Sequence, residues 1–187
     1  MLEKEIIDYN QHKQEIYHWV NLKGEYRYQA VIDFLKKKNI MCSWDNVTYY
    51  IKYDKRILIN SFKYIVFLEE LYKSFIKQNK DIKQSTLLSY EFGRALDEYL
   101  SIGDKANYDG IDLKLLIAKK DTINSFRNKV VHNKILLNHL YNGETLEEVL
   151  NIFVKILPKS YRTGFIKDMN SCSKGITDTS WHIEIKE

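Results

Sequence analysis

The chain has 187 residues, 44% of them hydrophobic and 29% charged, a balance that excludes a disordered or fibrous polymer and fits one globular domain. A single proline and seven glycines over that length argue against a strand-rich sandwich and favour long helices. The formal net charge of +4, with lysines at 36–38 and 119–120 among fourteen tyrosines, suits a polyanion such as RNA. A compositional bias toward lysine, isoleucine, asparagine and tyrosine would give the same figures.

In chain order, residues 2–20 carry Ile6, Ile7, Ile16, Trp19 and Val20 among charges, which predicts a first helix broken at Gly24. Tyr28, Val31 and Leu35 then recur at helical spacing. The stretch 43–53 (SWDNVTYYIKY) is dense in β-branched and aromatic residues and reads as a short strand or extended connection near 46–52. Residues 54–79 give the strongest periodicity. Ile57, Tyr64, Leu68, Leu71 and Phe75 form one stripe with Leu58, Phe62, Ile65 and Tyr72 beside it, the wide apolar face of a central helix. Ser85 or Thr86 can cap the next helix, which holds Leu87, Leu88, Phe92, Leu96 and Leu100 and stops at Gly103.

After a loop at 104–110, a short helix runs through Leu113, Leu115, Leu116 and Ile117. Thr145 and Glu148 have capping-box spacing ahead of Leu146, Val149, Leu150, Phe153 and Ile156, and Pro158 ends that helix. From Ser171 the tail is polar, although Trp181, Ile183 and Ile185 alternate like an edge strand. The whole reads as an all-α bundle in a single domain, 1–187. Within it, 1–40 form a helical extension, 41–157 the core and 158–187 an appendage.

Cys42 and Cys172 are far apart and lack a CxxC neighbour, which excludes a disulfide framework and a zinc knuckle and suits a reducing cytoplasm. The N-terminus lacks an apolar core of signal-peptide type, and no stretch approaches the roughly 20 apolar residues of a membrane span. A cytoplasmic protein without a membrane partner is expected.

The segment 121–137 reads DTINSFRNKVVHNKILL, and Asp121 or Thr122 opens a helix expected over 121–136. At about 100° per residue, Ile123, Phe126 and Val130 form a core stripe, while Asn128, Val131, His132 and Ile135 form a second. Arg127 lies between them, about 140° from His132. A helix that buries one face and shows another of mixed polarity has a second task, and burial against a partner chain is one explanation.

Arg127-Asn128-Lys129-Val130-Val131-His132 resembles the R-x4-H motif of the HEPN superfamily. Tyr53-Asp54-Lys55-Arg56-Ile57-Leu58, leading into a long helix with Glu69 and Glu70, resembles the Abi-like (abortive infection) branch. The likeness covers roughly residues 45–140; where the branch carries a second histidine after the motif, this chain has Asn133.

The resemblance implies a metal-independent endoribonuclease, a homodimer with its two motif helices face to face, and an antiphage or toxin role. Such an effector is restrained by an antitoxin protein, an antitoxin RNA or an inactive resting state. In this reading Arg127, His132 and Asn128 are catalytic, Lys129 and Lys134 contact RNA, and neither cofactor nor metal is needed. The chemistry is consistent, since an imidazole titrates near neutral pH and can give or take a proton, while a guanidinium fork suits a pentavalent phosphate. One histidine cannot readily do both proton transfers in one step, whereas two protomers supply two.

Blander roles stand beside these. Arg127 and His132 can be ordinary polar residues of a solvated face, Lys129 and Lys134 solvated charges, and Asn128 an interface or capping residue. Glu69 and Glu70 can be ion-pairing partners or orient the arginine. His139 shares a face with His132 if the helix continues, while His12, His18 and His182 have no partners at ligand spacing. A non-catalytic HEPN module that binds RNA or nucleotide, or an adaptor or antitoxin, is the alternative function.

Overall fold

Ser43 opens the longest helix of the protein, and the other helices are arranged around it. In the computed structural model, which describes residues 2–176 and 181–186, Ser43 Oγ accepts from the Asn46 N–H at 3.3 Å. Asp8 Oδ1 accepts from the Trp44 N–H at 2.8 Å, satisfying a second orphan donor. The helix that follows runs unbroken over Trp44–Asn79. The short strand or extended connection expected near 46–52 is therefore helical. Its aromatic residues are there to be buried: Trp44, Tyr49, Tyr50 and Tyr53 are all at most 2% exposed. Tertiary packing overrides the local β-propensity.

Before this helix come α1 (Tyr9–Lys23) and α2 (Glu25–Lys37), so the long helix is α3. Gly24 makes the corner between α1 and α2 with φ of 87°, and a Cβ there would meet the Tyr26 ring at 2.9 Å. The α2 face of Tyr28, Val31, Ile32 and Leu35 is buried, and Tyr28 stacks on Trp44 of α3.

After α3, the single helix expected from Ser85 or Thr86 to Gly103 is two, α4 (Gln84–Leu88) and α5 (Phe92–Leu100). Lys83 holds the N-cap position of α4, and neither Ser85 nor Thr86 caps it. Ser89 Oγ donates back to the Thr86 carbonyl at 2.7 Å, closing the turn that separates them.

The short α6 (Leu113–Ala118) is capped by Asp112, whose side chain accepts from Leu115 N at 2.9 Å. It is followed by α7 (Lys120–Val131) and α8 (Leu146–Ile156). The Thr145–Glu148 capping box is present in full. Pro158 ends α8 and stands at the N-cap of α9 (Lys159–Asn170), a helix not anticipated from the sequence. Helices α2, α5, α7 and α9 all pack on α3, and α8 closes over α6, α7 and α9. One hydrophobic cluster joins Val31 and Leu35 of α2 to Phe165 of α9.

Among the described residues there is no β-strand, only an isolated bridge between Tyr141 and Glu144, and the architecture is all-α. No helix among them is long and apolar enough to cross a membrane. The tail alternates as read, with Ile183 and Ile185 buried and His182, Glu184 and Lys186 exposed, but it pairs with no strand. Side chains supply its ladder. The Ile183 N–H donates to Tyr53 Oη at 2.9 Å and the Ile185 N–H to Asn170 Oδ1 at 2.8 Å. The polar stretch 177–180 lies outside the described residues.

Replacing Tyr53 by phenylalanine keeps the ring and strands the Ile183 N–H without an acceptor. A loss of about 1–2 kcal/mol in urea unfolding is expected. Wild-type stability in that variant would show that the tail does not depend on this bond.

Candidate functional site

The core stripe of α7 is the one its periodicity announces. Ile123, Phe126 and Val130 are at most 2% exposed, and the Phe126 ring meets Tyr141 and Phe153 edge-on at 5.3 and 5.2 Å. This fixes the helix rotation and so decides where the polar residues point.

Arg127 is half-buried. Its Nη2 lies 3.9 Å from Glu69 Oε2 of α3, and its guanidinium carbon sits 5.9 Å from the centre of the Phe92 ring on α5. Nη1 donates to the Asn128 carboxamide oxygen at 3.2 Å, while Nε is buried without an acceptor. A guanidinium offers five N–H donors, so this one is held in place yet under-satisfied. Glu69 also accepts from Lys73 Nζ at 2.8 Å, whereas Glu70 is exposed. Ion pairing and orientation of the arginine thus coincide in Glu69. Asn128 is itself exposed, and its carboxamide engages the guanidinium, not the imidazole.

The helix expected over 121–136 ends at Val131, and His132 is its C-cap. Asn133 adopts φ of 52°, the left-handed conformation that asparagine tolerates better than most residues. The Asn133 N–H donates to the Val130 carbonyl at 3.1 Å and the Lys134 N–H to the Lys129 carbonyl at 2.9 Å. This is the paired bonding of a Schellman motif, which stops the helix. Ile135 consequently leaves the second stripe and is buried, 4% exposed. Nor does His139 share a helical face with His132. It is half-buried, and burial, together with the nearby Lys129 and Lys134 charges, lowers its pKa.

The His132 imidazole is exposed, beside Val131 at 38% exposure, and no described residue hydrogen-bonds it. Lys134 is exposed as well, while Lys129 is half-buried. Arg127 is thus brought to Asn128 and Glu69, whereas His132 stands apart at the end of the same helix.

The loop that follows His132 is held by residues to which the sequence assigned no role. Asp54 of α3 is 2% exposed, and its Oδ1 accepts from the Leu136 N–H at 2.7 Å and the Leu137 N–H at 2.9 Å. Burial pushes the Asp54 carboxyl up to about 6, against the opposing pull of the two N–H donors and the Arg27 and Lys55 charges. Arg27 Nη2 donates to the Asn133 carbonyl at 2.6 Å, Lys55 Nζ to Asn133 Oδ1 at 2.9 Å, and Tyr141 Oη to the Leu136 carbonyl at 3.0 Å. A signal for Asp54 did exist. It lies three, four and seven positions before Ile57, Leu58 and Ser61, on the buried stripe of α3, where a carboxylate demands explanation. Arg27 carries no comparable sequence signal.

Chemically, the arrangement offers a braced cationic fork and an accessible acid–base group at the end of one helix. Among the described residues no group of three or more His, Cys, Asp or Glu is placed to hold a metal ion. No family model matches this chain, and neither a curated protein nor a solved structure gives a significant match.

Proposed function

We propose that this protein is a metal-independent endoribonuclease of HEPN type that cleaves single-stranded RNA at a composite site in a homodimer. The observation carrying the proposal is the presence on α7 of a half-buried guanidinium oriented by Asn128 and Glu69 and, at the C-cap, of an exposed imidazole followed by a clamped loop. The likeness of residues 127–132 to the R-x4-H motif supplies the reaction class.

The 2′-hydroxyl oxygen bonds to phosphorus as the bond to the 5′-oxygen breaks, leaving a 2′,3′-cyclic phosphate and a 5′-hydroxyl. One imidazole takes the 2′-hydroxyl proton and a second protonates the departing oxygen. His132 from each of two protomers provides the pair, and Arg127 neutralises charge on the phosphorane. The exposed Val131 next to His132 gives the facing helices an apolar contact. Lys129 and Lys134 steer the RNA backbone. In a cell the activity serves as an antiphage or toxin effector, restrained by an antitoxin protein, an antitoxin RNA or a resting state.

Cleavage of a labelled single-stranded RNA is expected to be unchanged by EDTA. Activity lost to chelation and restored by a divalent cation would replace this mechanism with a metal-assisted one. A wild-type chain that binds RNA but leaves it intact would favour a non-catalytic binding module.

A further inference from the structure

Against the loop that ends α7, the α1–α2 corner and the N-terminal part of α3 enclose a cleft of about 620 Å3. Five of its lining side chains are cationic: Lys23 and Arg27 from the corner, and Lys52, Lys55 and Arg56 from α3. The last three follow i, i+3, i+4 spacing, so α3 presents a single positive ridge.

Among the described residues, the acceptors that Arg27, Lys55 and Arg56 hold are neutral oxygens: the carbonyls of Asn133, Cys172 and Lys174, the Asn133 carboxamide, and the Tyr26 hydroxyl, to which Arg27 Nε donates at 3.2 Å. Such contacts orient the cations without cancelling their charge. The one carboxylate among the lining residues, Asp54, is turned onto the N–H groups of Leu136 and Leu137. A concentration of like charge repels itself, and an anion entering the cleft would relieve that repulsion.

The cleft is not purely polar. Tyr26, 57% exposed, and Leu22, 66% exposed, line it beside the cations. The Arg27 guanidinium carbon lies over the Tyr26 ring at 5.6 Å, and the part of the ring left exposed beside a positive ridge matches a base joined to a phosphate; the volume lies in the range of small-ligand sites. A bare inorganic anion would leave the apolar shelf uncovered.

We propose that this cleft binds a phosphate-bearing nucleotide unit, its phosphate among Lys23, Lys52 and Lys55 and its base against Tyr26. The residue after His132, Asn133, forms part of the same wall. Under the ribonuclease reading, on which this last step rests, the occupant is the stretch of strand flanking the scissile phosphate. A free nucleotide has the same chemistry and is the other source.

The test uses the full-length His132→Ala chain, which spares the RNA, with a fluorescein-labelled single-stranded RNA octamer and, separately, a fluorescent ADP. Binding is read by anisotropy over a salt series. The double change Lys23→Glu with Lys52→Glu is expected to weaken at least one probe tenfold or more. For the octamer, the slope of log affinity against log salt should fall by about 1 to 1.5. Tyr26→Ala should cost about tenfold, with the melting temperature of each variant confirming its fold.

An effect on the octamer alone assigns the cleft to the strand, and an effect on ADP alone to a free nucleotide. Unchanged affinity and slope for both probes overturns the proposal, as does a chain that binds neither. The two readings fail separately: a chain that cuts RNA with binding untouched by the double change loses the cleft and keeps the nuclease. One that binds through the cleft but never cuts does the reverse.

Discussion

Replacing His132 by alanine is expected to slow RNA cleavage by about 10²- to 10⁴-fold, the usual contribution of a positioned acid–base group, while RNA binding persists. The fold should survive. The side chain is exposed, no described residue hydrogen-bonds it, and the C-cap is closed by backbone bonds from Asn133 and Lys134. Surface changes of that kind cost within about 0.5 kcal/mol, so any lost rate cannot be ascribed to unfolding. In cells, toxicity on expression should disappear with this variant and with Arg127→Ala. A His132→Ala protein that cuts at the wild-type rate removes the imidazole from the mechanism.

The second large effect is expected at Asp54. Asp54→Ala leaves the Leu136 and Leu137 N–H groups buried without their acceptor, a loss of about 3 kcal/mol. For a chain of this length that lowers the melting temperature by roughly 10 °C. The loop after α7 slackens, and cleavage falls although Asp54 touches no substrate.

Asp54→Asn keeps an acceptor oxygen and is expected to be milder. It also separates the bond from the charge. Because the folded carboxyl titrates at about 6 and the unfolded one near 3.8, the native state binds more protons between those values. Stability from this group is full below the lower value and lost as pH rises through the upper, by about 3 kcal/mol in all. The asparagine variant should lack that slope in urea unfolding followed from pH 4 to 7. A wild-type melting temperature in Asp54→Ala, or the same pH slope in Asp54→Asn, would show that Asp54 is no clamp.

What the sequence disclosed was what depends on near neighbours. The Ile123–Phe126–Val130 stripe and the Thr145–Glu148 box are set within one or two turns, and both are in place. Two of the misreadings share a cause, a determinant distant along the chain. The aromatic run at 46–52 coils into α3 because α2 and the tail cover it: Phe34 packs on Tyr50, and Tyr50 Oη donates to the Trp181 carbonyl.

The end of α7 was similarly hidden. Asn133 in a left-handed turn is a local signal, but capture of Leu136 and Leu137 by Asp54 spans 82 and 83 positions. Within the candidate site the residue types were legible. The Asn128–Arg127 bond and the cleft built by Lys23 and Arg27 beside α3 were not, because they depend on rotation and packing.

One unbroken rod, α3, seats both the guanidinium, through Glu69, and the loop bearing the imidazole, through Asp54 and Lys55. The separation of those two seats is therefore set by helical rise and turn alone. Inserting or deleting a single residue between positions 56 and 68 would swing one seat by about 100° against the other. A change of length along this stretch is therefore expected to cost more than an exchange of an outward-facing side chain.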